Sequence, residues 1–280
     1  MSEVDDDGVL ASFLGKWAQT APELEVALAF TPPSLRAAQG AFACLVHELE
    51  YAAFGIAEPQ PALFKLQWWT EELAAAGRGE ASHPLTQALA AAVPLARVAP
   101  ESWQAVCALA FSLREAAPAG DGESLLAEFA ALYQPLAQIQ TQLFAPLEVA
   151  ALSRARSLAR VVRECANLGA ALAAGRLPLP LDLLARHRLA RGDLAQPGAA
   201  SSALMRDWLG ALRVHAAAID PRGLDPISAA TLSADRWRLG HAQAAEEPLQ
   251  ALCDRLARVP LRATLAAWRA RRAGAVSAGS

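Results

Sequence analysis

Lysine is almost missing from this chain: of 25 basic residues only Lys16 and Lys65 are not arginine. The four cysteines, Cys44, Cys107, Cys165 and Cys253, stand far apart with no C-x-x-C pair. That spacing excludes a zinc ribbon and a thioredoxin-type redox pair and predicts buried free thiols in a reducing compartment. No run of about 18 uncharged apolar residues occurs, so no transmembrane segment is expected, while peripheral contact with a membrane surface stays open. Met1 to Asp7 is acidic and is not followed by an apolar stretch, which argues against a secretory signal. A cytoplasmic protein is the expectation. The net charge of -3 removes the electrostatic case for nucleic acid. There is no G-x-G-x-x-G fingerprint, no P-loop and no nucleophile elbow. His47-Glu48-Leu49-Glu50-Tyr51 misses the H-E-x-x-H zinc pattern because Tyr51 stands in place of the second histidine.

Apolar residues make up 54% of the 280, enough for one large core. Alanine and leucine dominate, β-branched residues are few, and Gly/Pro clusters separate runs of a dozen or more residues. The chain therefore reads as all-α and as a single domain over residues 1–280. Thr31-Pro32-Pro33-Ser34 opens a helix from Leu35 to Phe54, and Glu58 to Pro61 precedes one that ends at Gly77-Arg78-Gly79. Further helices start near His83-Pro84, Pro100 and Glu123. A long one is expected from Leu147 to Ala174, then others at 183–189, 202–218, 247–258 and 261–272. Asp220 to Arg236 reads as loop-rich, and Ala273 to Ser280 as a frayed tail.

At 100° per residue, Phe42, Val46, Leu49 and Ala53 share the core side of the first helix, while Arg36, Ala43, His47, Glu50 and Phe54 share another. In the long helix Leu158, Val161, Cys165, Leu168 and Leu172 form an apolar stripe. Arg156, Arg160, Arg163 and Asn167 form a polar stripe nearly opposite. Such a stripe is either a solvated face or the lining of a polar interior.

Several segments bear on that choice. They are the arginine Arg36 opening an Ala- and Phe-rich helix, Leu66-Gln67-Trp68-Trp69 with Glu72-Leu73, the His83-Pro84 turn, and Gly175-Arg176-Leu177-Pro178-Leu179-Pro180 followed by His187, Leu189 and Asp193-Leu194. In this order, over roughly residues 24–194, they resemble the squalene/phytoene synthase family. The resemblance implies an isoprenoid-synthase-like helical bundle around a central cavity, in which two aspartate-rich motifs hold magnesium against a prenyl diphosphate. Carried over position by position, the first motif falls on Glu50, Tyr51, Ala52, Ala53 and Phe54. The second falls on Asn167 and Ala171, with Ala170 where a glutamate is usual. Only Glu50 keeps an acid, so Glu50 and Asn167 are remnants, no metal site is expected and no cofactor is implied. Arg36, His47, Tyr51, Arg160, Arg163 and Arg176 are the candidate substrate-binding residues. Glu50 or Glu48 is expected to pair with one of the stripe arginines.

Loss of both acidic motifs also resembles the squalene-synthase-like assembly factors of respiratory complex I. The implied function is a pseudoenzyme that binds an isoprenoid diphosphate or another anionic lipid, or a protein partner. The alternative is an active prenyltransferase with displaced motifs, joining prenyl diphosphates head to head with magnesium.

Overall fold

A computed structural model describes residues 3–196 and 198–277. No strand occurs among them. The helices are α1 (Glu3–Ala18), α2 (Glu23–Leu28), α3 (Pro33–Glu50), α4 (Pro59–Gly77), α5 (Pro84–Ala92), α6 (Pro100–Arg114) and α7 (Gly122–Leu143). They continue with α8 (Val149–Ala166), α9 (Leu168–Ala173), α10 (Leu181–His187), α11 (Ala199–Ala217), α12 (Pro226–Gln243), α13 (Pro248–Leu256) and α14 (Leu261–Ser277). Proline sits in the first turn of α3, α4, α5, α6, α12 and α13, where its missing N–H costs nothing and its fixed φ suits the helix. One apolar core runs through the bundle, with Phe42 and Leu45 of α3, Leu136 of α7, Leu158 and Val161 of α8 and Leu209 of α11 among its members.

Four elements depart from the sequence reading, each for an identifiable reason. The helix expected from Leu147 to Ala174 breaks at Asn167 (φ -99°, ψ 25°). There the side chain folds back, and its Nδ2 donates to the Arg163 carbonyl at 3.0 Å, the same oxygen that accepts the Asn167 backbone N–H. The loop-rich segment from Asp220 turns into α12 at Pro226, capped by Asp225, which accepts from Ile227 N and Ser228 N at 2.9 and 3.1 Å. Helix α12 escapes a hydrophobicity reading because it packs through small residues. Ala230 and Ala234 meet Ala27 of α2 and Ala263 and Ala267 of α14 in a separate seam. The chain ahead of Leu35, to which no helix was assigned, holds α1 and α2. Finally, α14 carries the backbone in helical form to Ser277, past the Arg272 end expected for it, and 278–280 lie outside the described residues.

The α3 helix widens into a π-turn at Tyr51–Gly55, a feature often found at functional sites. Two arginines satisfy its freed carbonyls. Arg114 donates to Ala53 O at 2.9 Å, to Ile56 O at 2.6 Å and also to Ala57 O. Arg176 donates to Phe54 O at 2.8 Å.

The Trp-Trp segment braces α4 against α5. Trp69 is buried, Trp68 is half exposed, and both rings contact His83, with centroids 4.8 and 5.6 Å away. Glu72 accepts from the Ser82 and His83 backbone N–H groups at 2.9 Å and from the Ser82 and Thr86 hydroxyls, closing the start of α5.

Gly175 ends α9 at φ +80°, and Arg176 N closes a long return bond to Ala171 O at 2.9 Å. A Cβ at Gly175 would meet nothing within 4 Å, so Gly175→Ala carries only the cost of the left-handed backbone. The expected loss is about 1–2 kcal/mol in denaturant unfolding. A gain in stability would show that this turn can relax out of the left-handed region.

Candidate functional site

The polar faces of α3 and α8 meet inside the bundle through a lattice of ion pairs. Glu50, at the end of α3, accepts a short hydrogen bond from the Tyr133 hydroxyl of α7. Its other oxygen lies 3.4 Å from His47 Nδ1 and 3.7 Å from Arg160 Nη1. Arg160 also grips Glu164 one turn along α8, and Glu164 is shared with Arg176 from the loop after α9. On the other flank Glu23 of α2 receives Arg163 at 3.3 Å and Arg238 of α12 at 2.8 Å, and Arg238 also holds Asp235 at 2.8 Å. Arg156 donates to Gln140, whose amide donates to Asp225 at 3.1 Å. Phe54 lies under two guanidinium groups, Arg160 at 4.6 Å and Arg176 at 5.5 Å.

Burial sets the electrostatics and the pairs correct it. Desolvation alone would raise Glu50, but the hydrogen bond and charge of His47 with the charges of Arg160 and Arg163 hold it far below the ordinary carboxylate range. Glu23 is likewise driven up by burial and brought below its ordinary value by Arg238 and Arg163. Burial pushes Asp235 the other way, upward, in spite of Arg238. Tyr133 is raised by burial and by the Glu50 charge, so its proton stays on the phenol. Burial lowers Arg156, Arg160 and Arg176. Arg156 Nη1, Arg160 Nε and Arg176 Nε are buried without a hydrogen-bond partner.

Two cavities flank the lattice. The smaller, about 70 Å³, opens between α2, α3, α8 and α12 and is lined by His47, Glu50, Glu23, Arg156 and Arg163. The larger, about 340 Å³, lies between the π-turn, the end of α6, α7 and the Gly175–Pro178 loop, with Glu164 and Arg176 in its wall. It also takes in Glu128, whose carboxyl burial pushes up.

Of the residues singled out from sequence, the structure brings together Glu50, His47, Arg160, Arg163 and Arg176. Three lie elsewhere. Arg36 is exposed and donates at 3.4 Å to the Ala29 and Thr31 carbonyls just beyond α2. Tyr51 lies on the outer surface, 43% exposed, where Lys16 and Lys65 stand over its ring. Asn167 faces solvent at the helix break. Glu48 pairs with Lys16 and Lys65, leaving Glu50 as the partner of the stripe.

Apart from Arg156 of the stripe, the remaining members of the lattice were not singled out. Glu164 had a local signal, four residues after Arg160 on the same helix side. Tyr133 meets Glu50 across 83 residues and Arg238 meets Glu23 across 215, separations that no local pattern encodes.

The residues present do not fit magnesium, which needs a near-octahedral set of oxygen ligands. Glu50 is committed to Tyr133 and to cationic neighbours, both oxygens of Glu164 are held by arginines, and Ala170 and Ala171 supply no donor. Among the described residues no group of three or more His, Cys, Asp or Glu side chains could hold a metal ion.

The squalene/phytoene synthase family model matches residues 18–273. In structure the chain is similar to a dehydrosqualene synthase crystallised with a ligand, at 11% identity and a TM-score of 0.68 over 98% of each chain. It is also similar to the squalene synthase HpnC of Alicyclobacillus acidocaldarius, at 16% identity and a TM-score of 0.58, covering 98% of this chain and 97% of that one. No curated protein sequence is similar enough to count as a relative.

Proposed function

The chain belongs to the squalene/phytoene synthase family, and we propose that within it this protein has given up magnesium-dependent prenyl transfer and serves as a binding or assembly protein. The observation that supports this reading is that arginines, not a metal, partner the carboxylates of the interior. Arg156, Arg160 and Arg163 occupy the polar side of α8, and the only acid surviving from the two motifs, Glu50, is consumed by Tyr133, His47 and Arg160. Ionising a prenyl diphosphate requires cations against the leaving group. Arginines can bind that group, since the planar guanidinium suits phosphate and carboxylate alike without metal.

The cavity of about 340 Å³ beside Arg176 falls within the roughly 300–1,000 Å³ of ordinary small-molecule pockets, whereas the one of about 70 Å³ that Arg156 and Arg163 line lies far below it. The smaller cavity admits an anionic head, with any isoprenoid or acyl chain directed outward. Arg156 and Arg163 in its wall are the donors such a head would meet.

The test uses purified protein with farnesyl and geranylgeranyl diphosphate, with magnesium and with a chelator. The expected result is no condensation product in either condition, and binding of the diphosphate that does not need magnesium and weakens with salt. Arg163→Ala is expected to weaken that binding about tenfold, the loss of one charge-assisted contact. Product that forms with magnesium and disappears on chelation would overturn the reading.

A further inference from the structure

After Asp254 the chain contains no acidic residue and six arginines: Arg255, Arg258, Arg262, Arg269, Arg271 and Arg272. Most of them belong to α14, which buries Ala263 and Ala267 in the alanine seam and turns its other side outward. On that outer side Leu261, Leu265 and Trp268 are 88%, 43% and 41% exposed. Their spacing of four and three residues places them in one line along the helix. Arg272, one turn further, stacks over the Trp268 ring at 4.9 Å. Arg262 and Arg269 sit about a quarter-turn to one side of the line.

A second feature adjoins this helix. An open groove of about 630 Å³ is lined by Arg213, Arg236, Trp237, His241, Arg255 and Arg262, and no carboxylate enters its wall. Arg236 is fixed by bonds to the Ala216 and Ile219 carbonyls at 2.8 and 2.6 Å, and Arg255 Nε is buried with no hydrogen-bond partner. Asp220 acts on Arg236 from outside the groove, but no ion pair to an acid is made by Arg213, Arg255 or Arg262 among the described residues. The groove shares Arg262 with the helix that carries the exposed leucines and tryptophan.

The geometry points to an anionic bilayer surface as the partner of this face. Leu261, Leu265 and Trp268 enter the headgroup and acyl boundary, Arg262, Arg269 and Arg272 meet lipid phosphates, and the groove takes a headgroup phosphate. An exposed apolar line flanked by arginine with an aromatic at the interface is the composition of a helix that lies in the plane of a membrane. A folded protein partner is less well served, because the apolar line runs along the convex side of a helix and offers no pocket for an anchoring side chain. The partner follows from this surface alone and stands whether or not the interior binds an anion.

The experiment is co-sedimentation of the full chain with vesicles of pure phosphatidylcholine and of phosphatidylcholine with about one third phosphatidylglycerol. Binding is expected on the anionic vesicles and not on the neutral ones, with a loss of at least tenfold between low and high salt. Each arginine near an anionic surface contributes about fivefold, so the double variant R213Q/R262Q is expected to partition roughly 25-fold more weakly. L261S, at a position too exposed to affect folding, and W268S are each expected to lose several-fold. Failure to bind anionic vesicles, equal binding to neutral ones, or unchanged partitioning of both L261S and R213Q/R262Q would overturn the assignment. A concentration-dependent dimer that W268S abolishes, with no vesicle binding, would also overturn it by assigning the face to a second copy of the chain.

Discussion

Replacing Arg238 with methionine is expected to lower the unfolding free energy by about 3–5 kcal/mol, as for other buried pairs broken by removing one partner. At roughly 2–4 °C per kcal/mol, that is a fall of roughly 6–20 °C in melting temperature. Arg238 is 1% exposed and lies between Glu23 and Asp235, themselves buried to 1% and 2%. It also donates to the Arg255, Leu256 and Arg258 carbonyls at 3.3, 2.9 and 3.4 Å, which closes the end of α13. Methionine keeps much of the volume, so the loss isolates charge and hydrogen bonding from packing. Two carboxylates are left facing each other, with only Arg163 near Glu23. Replacing all three members by apolar side chains of matching size is expected to recover much of the stability, because the desolvation cost then disappears with the charges. An R238M protein melting within 2 °C of the parent would mean that water reaches this cluster.

Acid is expected to unfold the protein well before pH 2. Burial opposes the charge on Glu23, Glu48, Glu50 and Glu72, yet arginine, lysine and hydrogen-bond partners outweigh it and leave all four below the ordinary carboxylate value. The sign follows from linkage. A group depressed in the folded state stabilises it above the unfolded pKa, about 4.3 for glutamate, and that contribution is lost as pH falls through the folded value. Asp235 is raised and works in the opposite direction, offsetting part of the loss. Melting temperature is therefore expected to be flat near neutrality and to fall steeply from about pH 4.3 downward, with a cooperative change in circular dichroism and tryptophan fluorescence. E50Q should flatten that fall while lowering stability at pH 7. A parent protein as stable at pH 3 as at pH 7 would contradict the depressed carboxylates.

What could be read from the sequence was whatever local chemistry determines. Proline-opened helices, the Gly175 turn and the arginine stripe of α8 are written in short windows, and the helical, isoprenoid-synthase-like architecture follows from them together with the ordered motifs. Two kinds of information were missing. Backbone irregularities depend on single competing bonds: the Asn167 side chain ends α8, and a π-turn follows Glu50, neither of which sequence spacing on a regular helix can register. The other kind is long-range pairing. Arginines at fixed helical positions signal a solvated face or a charged interior, but only the fold decides between them and selects Tyr133, Glu23 and Arg238 as partners. Helix α12 was hidden for a third reason, since a helix packed through alanine has little hydrophobic signal although it is among the most enclosed in the molecule.

The π-turn bears on whether a carboxylate metal site could be built on this backbone. Aspartate introduced at positions 54, 167 and 171 would not make one. Position 54 lies beneath the Arg160 and Arg176 guanidinium groups and gives its carbonyl to Arg176. Position 167 points outward from a helix break, and Arg114 pins the chain at 53, 56 and 57 from another helix. New acids would be met by arginines before any metal arrived. Such a site would demand a change of backbone path in α3 and α8 together with removal of the cations, and each step alone exposes a buried charge. Side-chain substitutions made one at a time therefore do not lead from this interior to a metal-binding one.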